Sequence, residues 1–203
     1  MKLPEKIKAI LFDMDGVLVD SLDSWFYAFN NALEHHQEQP LSKQAFIDTY
    51  WGHDLYDNLD RAGLDRAIGP FCNQIFGNHI EKIQIFPETI PTLKQLSSYP
   101  KVIITNSPRS CVKQILKHYN LEAYFQHVVT SDDVQKSKPA PDLIYKACAL
   151  LQITPQEVVM IGDTEHDVTA GRAADCFVIG LKVQGDAIIQ RLDELPNLLK
   201  KSS

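Results

Sequence analysis

The sequence predicts an α/β protein built on a parallel sheet, with an all-helical stretch after the first strand that reads as a small inserted unit, the alternative being extra helices packed on the sheet. Three observations carry this. Short apolar runs that stop abruptly at polar residues recur along the chain, as strands buried on both faces do. They alternate with helical stretches, the rhythm of a parallel sheet with right-handed crossovers. Between Ser21 and about Ile83 the rhythm fails, because only helical patterns occur there.

The expected strands are residues 7–12, 102–104, 128–129, 158–161 and 177–179, all rich in Ile, Val and Phe. The expected helices of the sheet domain are 90–96, 110–118, 141–151 and 167–174. In the interrupted region helices are expected over 25–35, 43–49, 55–62 and 68–82, punctuated by Gly52, Gly63 and Gly69. This divides the chain into a discontinuous core, 1–16 with 84–203, and an insert, 17–83. The tail Lys200-Lys201-Ser202-Ser203 is expected to fray.

Composition narrows the function. With 203 residues, 44% of them hydrophobic, the chain can bury a core without disulfide staples. A net charge of −6 lacks the basic face that nucleic-acid binding needs. The run Ala9-Ile10-Leu11-Phe12 is too short for a signal core or a membrane span. Cys72, Cys111, Cys148 and Cys176 are scattered, without the clustering of a zinc site, and read as buried free thiols. A cytoplasmic protein with no membrane partner is expected.

In an open α/β sheet, ligands bind beyond the carboxyl ends of the strands. Polar clusters follow the first, second and fourth strands: Asp13-Met14-Asp15-Gly16, Thr105-Asn106-Ser107 and Gly162-Asp163-Thr164-Glu165-His166-Asp167. Lys136-Ser137-Lys138-Pro139 precedes a helix. A calcium loop is excluded at Asp13, because Val17 and Leu18 replace the required oxygen ligand and turn glycine. Carboxylates gathered at strand ends repel unless a cation holds them. An Asp carboxylate can attack phosphorus, but both partners are anionic, so the approach needs neutralising charge. Mg²⁺ between Asp13, Asp163 and a substrate phosphate, together with a Lys, would supply it. A Thr hydroxyl completes the phosphate cradle. Asp15 is close enough in sequence to protonate the leaving oxygen and then activate water.

These motifs, in this order and over nearly the whole chain, resemble the haloacid dehalogenase-like hydrolase superfamily, in the branch of phosphoglycolate phosphatases and β-phosphoglucomutases. The matching residues run from Asp13 to Ser21, then Thr105-Asn106, Lys138-Pro139-Ala140-Pro141-Asp142 and Gly162 to Asp167. The resemblance implies a Rossmann-like three-layer core with an α-helical cap, and a Mg²⁺-dependent phosphatase acting on a small phosphorylated metabolite. It implies Asp13 as nucleophile and Asp15 as general acid/base, with Thr105, Asn106 and Lys138 on the phosphate. Mg²⁺ would be held by the Asp13 side chain, the Asp15 carbonyl and Asp163, with Asp167 supporting from behind.

The sequence departs from the family pattern at Ser137, where a Gly often precedes the motif Lys. Lys136 competes with Lys138 for that role, although Lys138 before Pro139 fits better. A phosphomutase would use the same Asp13 and Asp15, with a sugar hydroxyl rather than water attacking the phosphoaspartate. A non-catalytic phosphate-binding or signalling module is the remaining alternative. A receiver domain would lack the helical insertion, and an inactive relative would lack a motif residue. In the insert, His53, Arg61, Arg66 and His79 read as solvated, Trp25, Phe26 and Phe29 as its core, and His166 has no assigned role.

Overall fold

The computed structural model describes residues 3–200. Residues 201–203, most of the tail expected to fray, lie outside the described residues.

Six strands form one parallel sheet in the order β5-β4-β1-β6-β7-β8: β1 (Ala9–Phe12), β4 (Lys101–Thr105), β5 (His127–Thr130), β6 (Val158–Gly162), β7 (Phe177–Leu181) and β8 (Ala187–Ile189). Five of these coincide with the apolar runs, within a few residues at each end. β8 lies on the edge and falls outside them.

Alternation within each strand builds the layers, because successive side chains point to opposite faces. Ile10, Phe12, Ile103, Val159 and Ile179 enter one apolar cluster. There they meet α5 (Thr89–Gln95), α6 (Arg109–His118) and α9 (Leu195–Lys200) through Leu93, Ile115 and Leu199. Ala9, Leu11, Val102, Ile104 and Met160 enter the other. There they meet α7 (Asp142–Leu151) and α8 (Glu165–Ala173) through Leu143, Ala147 and Ala170. The result is the expected three-layer, Rossmann-like architecture. All four cysteines are buried and free.

The gap in the strand rhythm is filled by four consecutive helices: α1 (Leu22–His35), α2 (Lys43–Thr49), α3 (Leu55–Ala62) and α4 (Ile68–Asn78). The last ends four residues short of the expected 82, and a 3₁₀ turn follows at Ile80–Lys82. Local chemistry starts and stops these helices. Ser42 accepts from the Ala45 N–H, and Asp54 from the Tyr56 and Asp57 N–H groups. Gly63, at φ +67°, ends α3 in the left-handed conformation that favours glycine. Chain entry and exit are tied together by an antiparallel ribbon of β2 (Val19–Asp20) and β3 (Gln84–Ile85), pairing Val19 with Ile85 and Asp20 with Gln84. Among the described residues no helix is long and apolar enough to cross a membrane.

Candidate active site

The sheet order makes β4, β1 and β6 neighbours, so Thr105, Asp13 and Asp163 arrive side by side at their carboxyl ends. The chain leaves β1 toward β4 and leaves β6 toward β7. The crevice between β1 and β6 is therefore the switch point at which such sheets take ligands. Asp13 is anchored there by its backbone N–H, which donates to the Ile161 carbonyl at 2.9 Å.

Lys138 is the centre of charge. Its Nζ lies 2.8 Å from Asp13 Oδ1 and 2.7 Å from Asp167 Oδ1, and donates to the Ile104 carbonyl at 3.3 Å. Lys138 is 3% exposed and Asp13 6%, so the ion pair is a desolvated one. Burial opposes the ammonium charge, but the Asp13 and Asp167 carboxylates outweigh it and hold Lys138 above the usual lysine range. Lys136 is exposed, and Lys138 is the lysine that meets Asp13.

Burial raises the Asp13 carboxyl to about 7. Lys138 opposes that rise, while Asp167 and Asp15 add to it. Asp163 is likewise pushed well above the usual carboxylate range by burial, then by Asp13 and Asp167. One oxygen each from Asp13, Asp163 and Asp167 lies within 4.8 Å of the others. Asp167 is already engaged, however. Its Oδ1 takes the Lys138 ammonium, and its Oδ2 accepts from the Thr164 N–H (3.0 Å) and hydroxyl (2.6 Å), capping α8. Asp163 Oδ1, by contrast, is buried without a partner. Two carboxylates destabilised as anions, one with an orphaned oxygen, form an all-oxygen donor set suited to a hard divalent cation. Gly16 keeps this space open. It sits at φ +81°, and a Cβ there would lie 2.0 Å from Asp163 Oδ2.

Asp15 bridges two parts of the chain. Oδ1 accepts from the Ser21 hydroxyl and, at 3.3 Å, from Trp25 Nε1, both at the start of the helical insertion. Oδ2 accepts from the Ser107 hydroxyl at 2.7 Å and the Thr105 hydroxyl at 3.4 Å, beyond β4. Ser21, Trp25 and Ser107 had no expected role at Asp15. Ser107 could have been flagged by its place next to Thr105-Asn106 and Ser21 by its place at the end of the Asp13–Ser21 match, whereas nothing local to Trp25 marks it.

The Asn106 amide is engaged with the backbone through both its oxygen and its nitrogen. Its Oδ1 accepts from the Lys138 N–H at 2.9 Å, and its Nδ2 donates to the Lys138 and Gly52 carbonyls, both at 2.8 Å. The side chain fixes the backbone that carries Lys138 and ties it to the insertion.

A cavity of about 60 Å³ lies over Asp13, Asp15, Thr105 and Lys138, walled on the insertion side by aromatic residues that include Trp25 and Phe29. Those two residues serve both as core and as cavity wall. Phe26 packs instead against Phe46. His53 is half-buried and lines the cavity, with its ring 3.9 Å from that of His166. Arg61 and Arg66 are exposed as expected, the latter paired with Asp60, and His79 lies near Glu81.

The family model described as haloacid dehalogenase-like hydrolase matches residues 10–181. Pyrophosphatase PpaX of Anoxybacillus flavithermus is 31% identical over 181 residues, covering 86% of this chain and 83% of that protein. The HAD phosphatase of Thermococcus onnurineus superposes with a TM-score of 0.72 at 26% identity, covering 95% of this chain and 98% of the other. CbbY from Rhodobacter sphaeroides, solved in complex with phosphate, superposes at 0.84 with 17% identity over 93% and 96% of the two chains, a likeness of fold alone.

Proposed function

The chain belongs to the haloacid dehalogenase-like hydrolase family and is a phosphatase, and on that premise we propose that it hydrolyses a small-metabolite phosphate ester through a phosphoaspartate formed on Asp13, with Mg²⁺ bound. The observation that carries this is the buried Lys138 ammonium between Asp13 and Asp167, set beside the unpartnered oxygen of Asp163.

Asp13, Asp163 and the Asp15 carbonyl would hold Mg²⁺, whose chemistry here is to neutralise phosphate oxygens. Lys138 fixes Asp13 through Oδ1, leaving Oδ2 to attack phosphorus, and brings positive charge to the phosphoryl group. Asp167 sets the position of Lys138, and Asn106 fixes the backbone on either side of that lysine. Thr105 and Ser107 present hydroxyls at the end of β4. Asp15 gives its proton to the leaving oxygen and then takes one from the water that hydrolyses the phosphoaspartate.

Residues 17–83 act as the cap and the rest of the chain as the core. The β2–β3 ribbon is the hinge, since it lies between sheet and insertion and can flex without breaking sheet hydrogen bonds. Closure seats Ser21 and Trp25 on Asp15, so the acid/base is held when the site shuts and excludes water. The test is release of phosphate from an aryl phosphate with Mg²⁺ and with chelator. Mg²⁺-dependent release that is lost in folded Asp13→Asn supports the mechanism. Chelator-resistant release, or activity surviving in that variant, refutes it.

A further inference from the structure

The two carboxylate oxygens of Asp15 have different surroundings. Oδ1 accepts from the Ser21 hydroxyl and, at 3.3 Å, from Trp25 Nε1. Trp25 is held in place by its stacking on Phe76, with ring centroids 3.9 Å apart. An indole N–H can only donate. Oδ1 must therefore stay an acceptor, and a proton on this carboxyl belongs on Oδ2.

Oδ2 is turned to the end of β4, where Thr105 and Ser107 line the cavity together with Asp13 and Lys138. The two hydroxyls there are not equivalent. Ser107 Oγ lies 2.7 Å from Oδ2, the usual length for such a bond, whereas Thr105 Oγ1 lies at 3.4 Å, near its outer limit. Thr105 Oγ1 also accepts from the Ser107 N–H at 3.1 Å. Its one hydrogen is thus loosely held and free to turn to a phosphoryl oxygen. Ser107 is buried between the end of β4 and Pro108, which opens α6 at φ −61°. A side chain carried where strand meets helix fixes its partner more tightly than one on a free loop.

We infer that Ser107 is the positioning residue of Asp15, aiming Oδ2 as the atom that exchanges protons with the substrate, while Thr105 is left to the phosphoryl group. The inference rests on the phosphatase reading above and deepens it. As Asp13 Oδ2 bonds to phosphorus, the ester P–O bond breaks and Asp15 Oδ2 gives its proton to the departing oxygen. A neutral alcohol leaves, and Asp15 is left as the anion. Water then attacks the phosphoaspartate, its proton returns to Asp15 Oδ2, and phosphate parts from the Asp13 carboxylate. Ser107 donates to the Asp15 anion and stays neutral throughout.

The experiment uses the whole chain with Mg²⁺ and three esters: 4-nitrophenyl phosphate, phenyl phosphate and glycerol phosphate. A nitrophenolate departs without a proton, and the other two leaving oxygens need one increasingly. The quantity read is kcat/KM, which covers events up to departure of the leaving group. In Ser107→Ala, confirmed as folded by circular dichroism, kcat/KM should fall about tenfold on the most basic leaving group that the wild type cleaves, the worth of one hydrogen bond. The nitrophenyl ester should fall by less than about threefold. Ser107→Cys, which keeps the volume but offers only a weak donor, should repeat the pattern if the alanine variant does not fold. Thr105→Val should lower all three esters alike. Equal losses across the esters in the Ser107 variants, or a leaving-group-dependent loss in Thr105→Val instead, would overturn the inference and leave the phosphatase standing. A wild type that cleaves the nitrophenyl ester alone has no working proton donor and overturns it too. If no ester is cleaved, the phosphatase reading falls with it.

Discussion

Replacing Lys138 by Met isolates the buried charge at the centre of the site. The methionine keeps most of the stem's volume but removes the ammonium that lies 2.8 Å from Asp13 and 2.7 Å from Asp167. Removing one partner from a buried pair leaves its counter-charge desolvated and costs about 3–5 kcal/mol. At about 2–4 °C per kcal/mol for a chain of this length, the melting temperature should fall by about 6–20 °C near pH 7. The pH dependence has a definite sign. In the wild type the Lys138 ammonium is held above the usual lysine range, so it stays charged through the acid and neutral range and fades only as pH climbs through the raised folded value, while its pairing with Asp13 weakens on the acid side as that carboxyl, raised to about 7, takes up its proton. In the variant, Asp13 protonates as pH falls and the uncompensated charge disappears, so the deficit should shrink toward pH 5. Circular dichroism melts of both proteins in chelator, at about pH 5 and about pH 7, give the answer. A folded variant within about 1 kcal/mol of wild type at pH 7, or a deficit that does not change with pH, would refute the reasoning.

Asp15→Asn should lower turnover by about 10²-fold or more while leaving the Mg²⁺ concentration dependence nearly unchanged, because the proposed ligand at this position is the backbone carbonyl; a magnesium titration of initial rates checks it. Gly16→Ala places a Cβ on Asp163 at a φ of +81°, so its Mg²⁺ requirement should rise about tenfold or more, read from the same titration. The metal-free protein should lose stability as pH rises from about 4 to about 7, because folded Asp13, raised to about 7, still binds a proton that the unfolded chain has released. Mg²⁺ should restore the loss at the upper end, and melts with and without chelator at the two ends of that window measure both effects.

The parts of this structure that could be read from the sequence are those written in local patterns. Apolar runs that end at Asp13, Thr105 and Gly162 named both the central strands and the residues at their tips, because strand and site are adjacent in sequence. The β2–β3 ribbon was invisible, since each strand has two residues and the pairing of Val19 with Ile85 joins distant positions. β8 is a three-residue edge strand with only Ile189 fully buried, too short to show a buried run. The expected 167–174 helix begins earlier, at Glu165, because the Thr164–Asp167 capping box starts it. Asp167 thus sat inside a recognised motif while its helix-capping role went unread. Asn106 and Asp15 show the same limit. Their partners, Lys138 and Gly52 for one, Ser21, Trp25 and Ser107 for the other, come together only through tertiary folding.

The proposed phosphoaspartate can be sought by rapid quenching of the enzyme with a cleavable phosphate ester and Mg²⁺, followed by peptide mass spectrometry within the first turnover. The proposal predicts transient phosphate on the peptide containing Asp13, at the side chain of Asp13 itself, formed and lost at rates that match turnover. Phosphate on another residue, or steady release of free phosphate with Asp13 never modified, would contradict it.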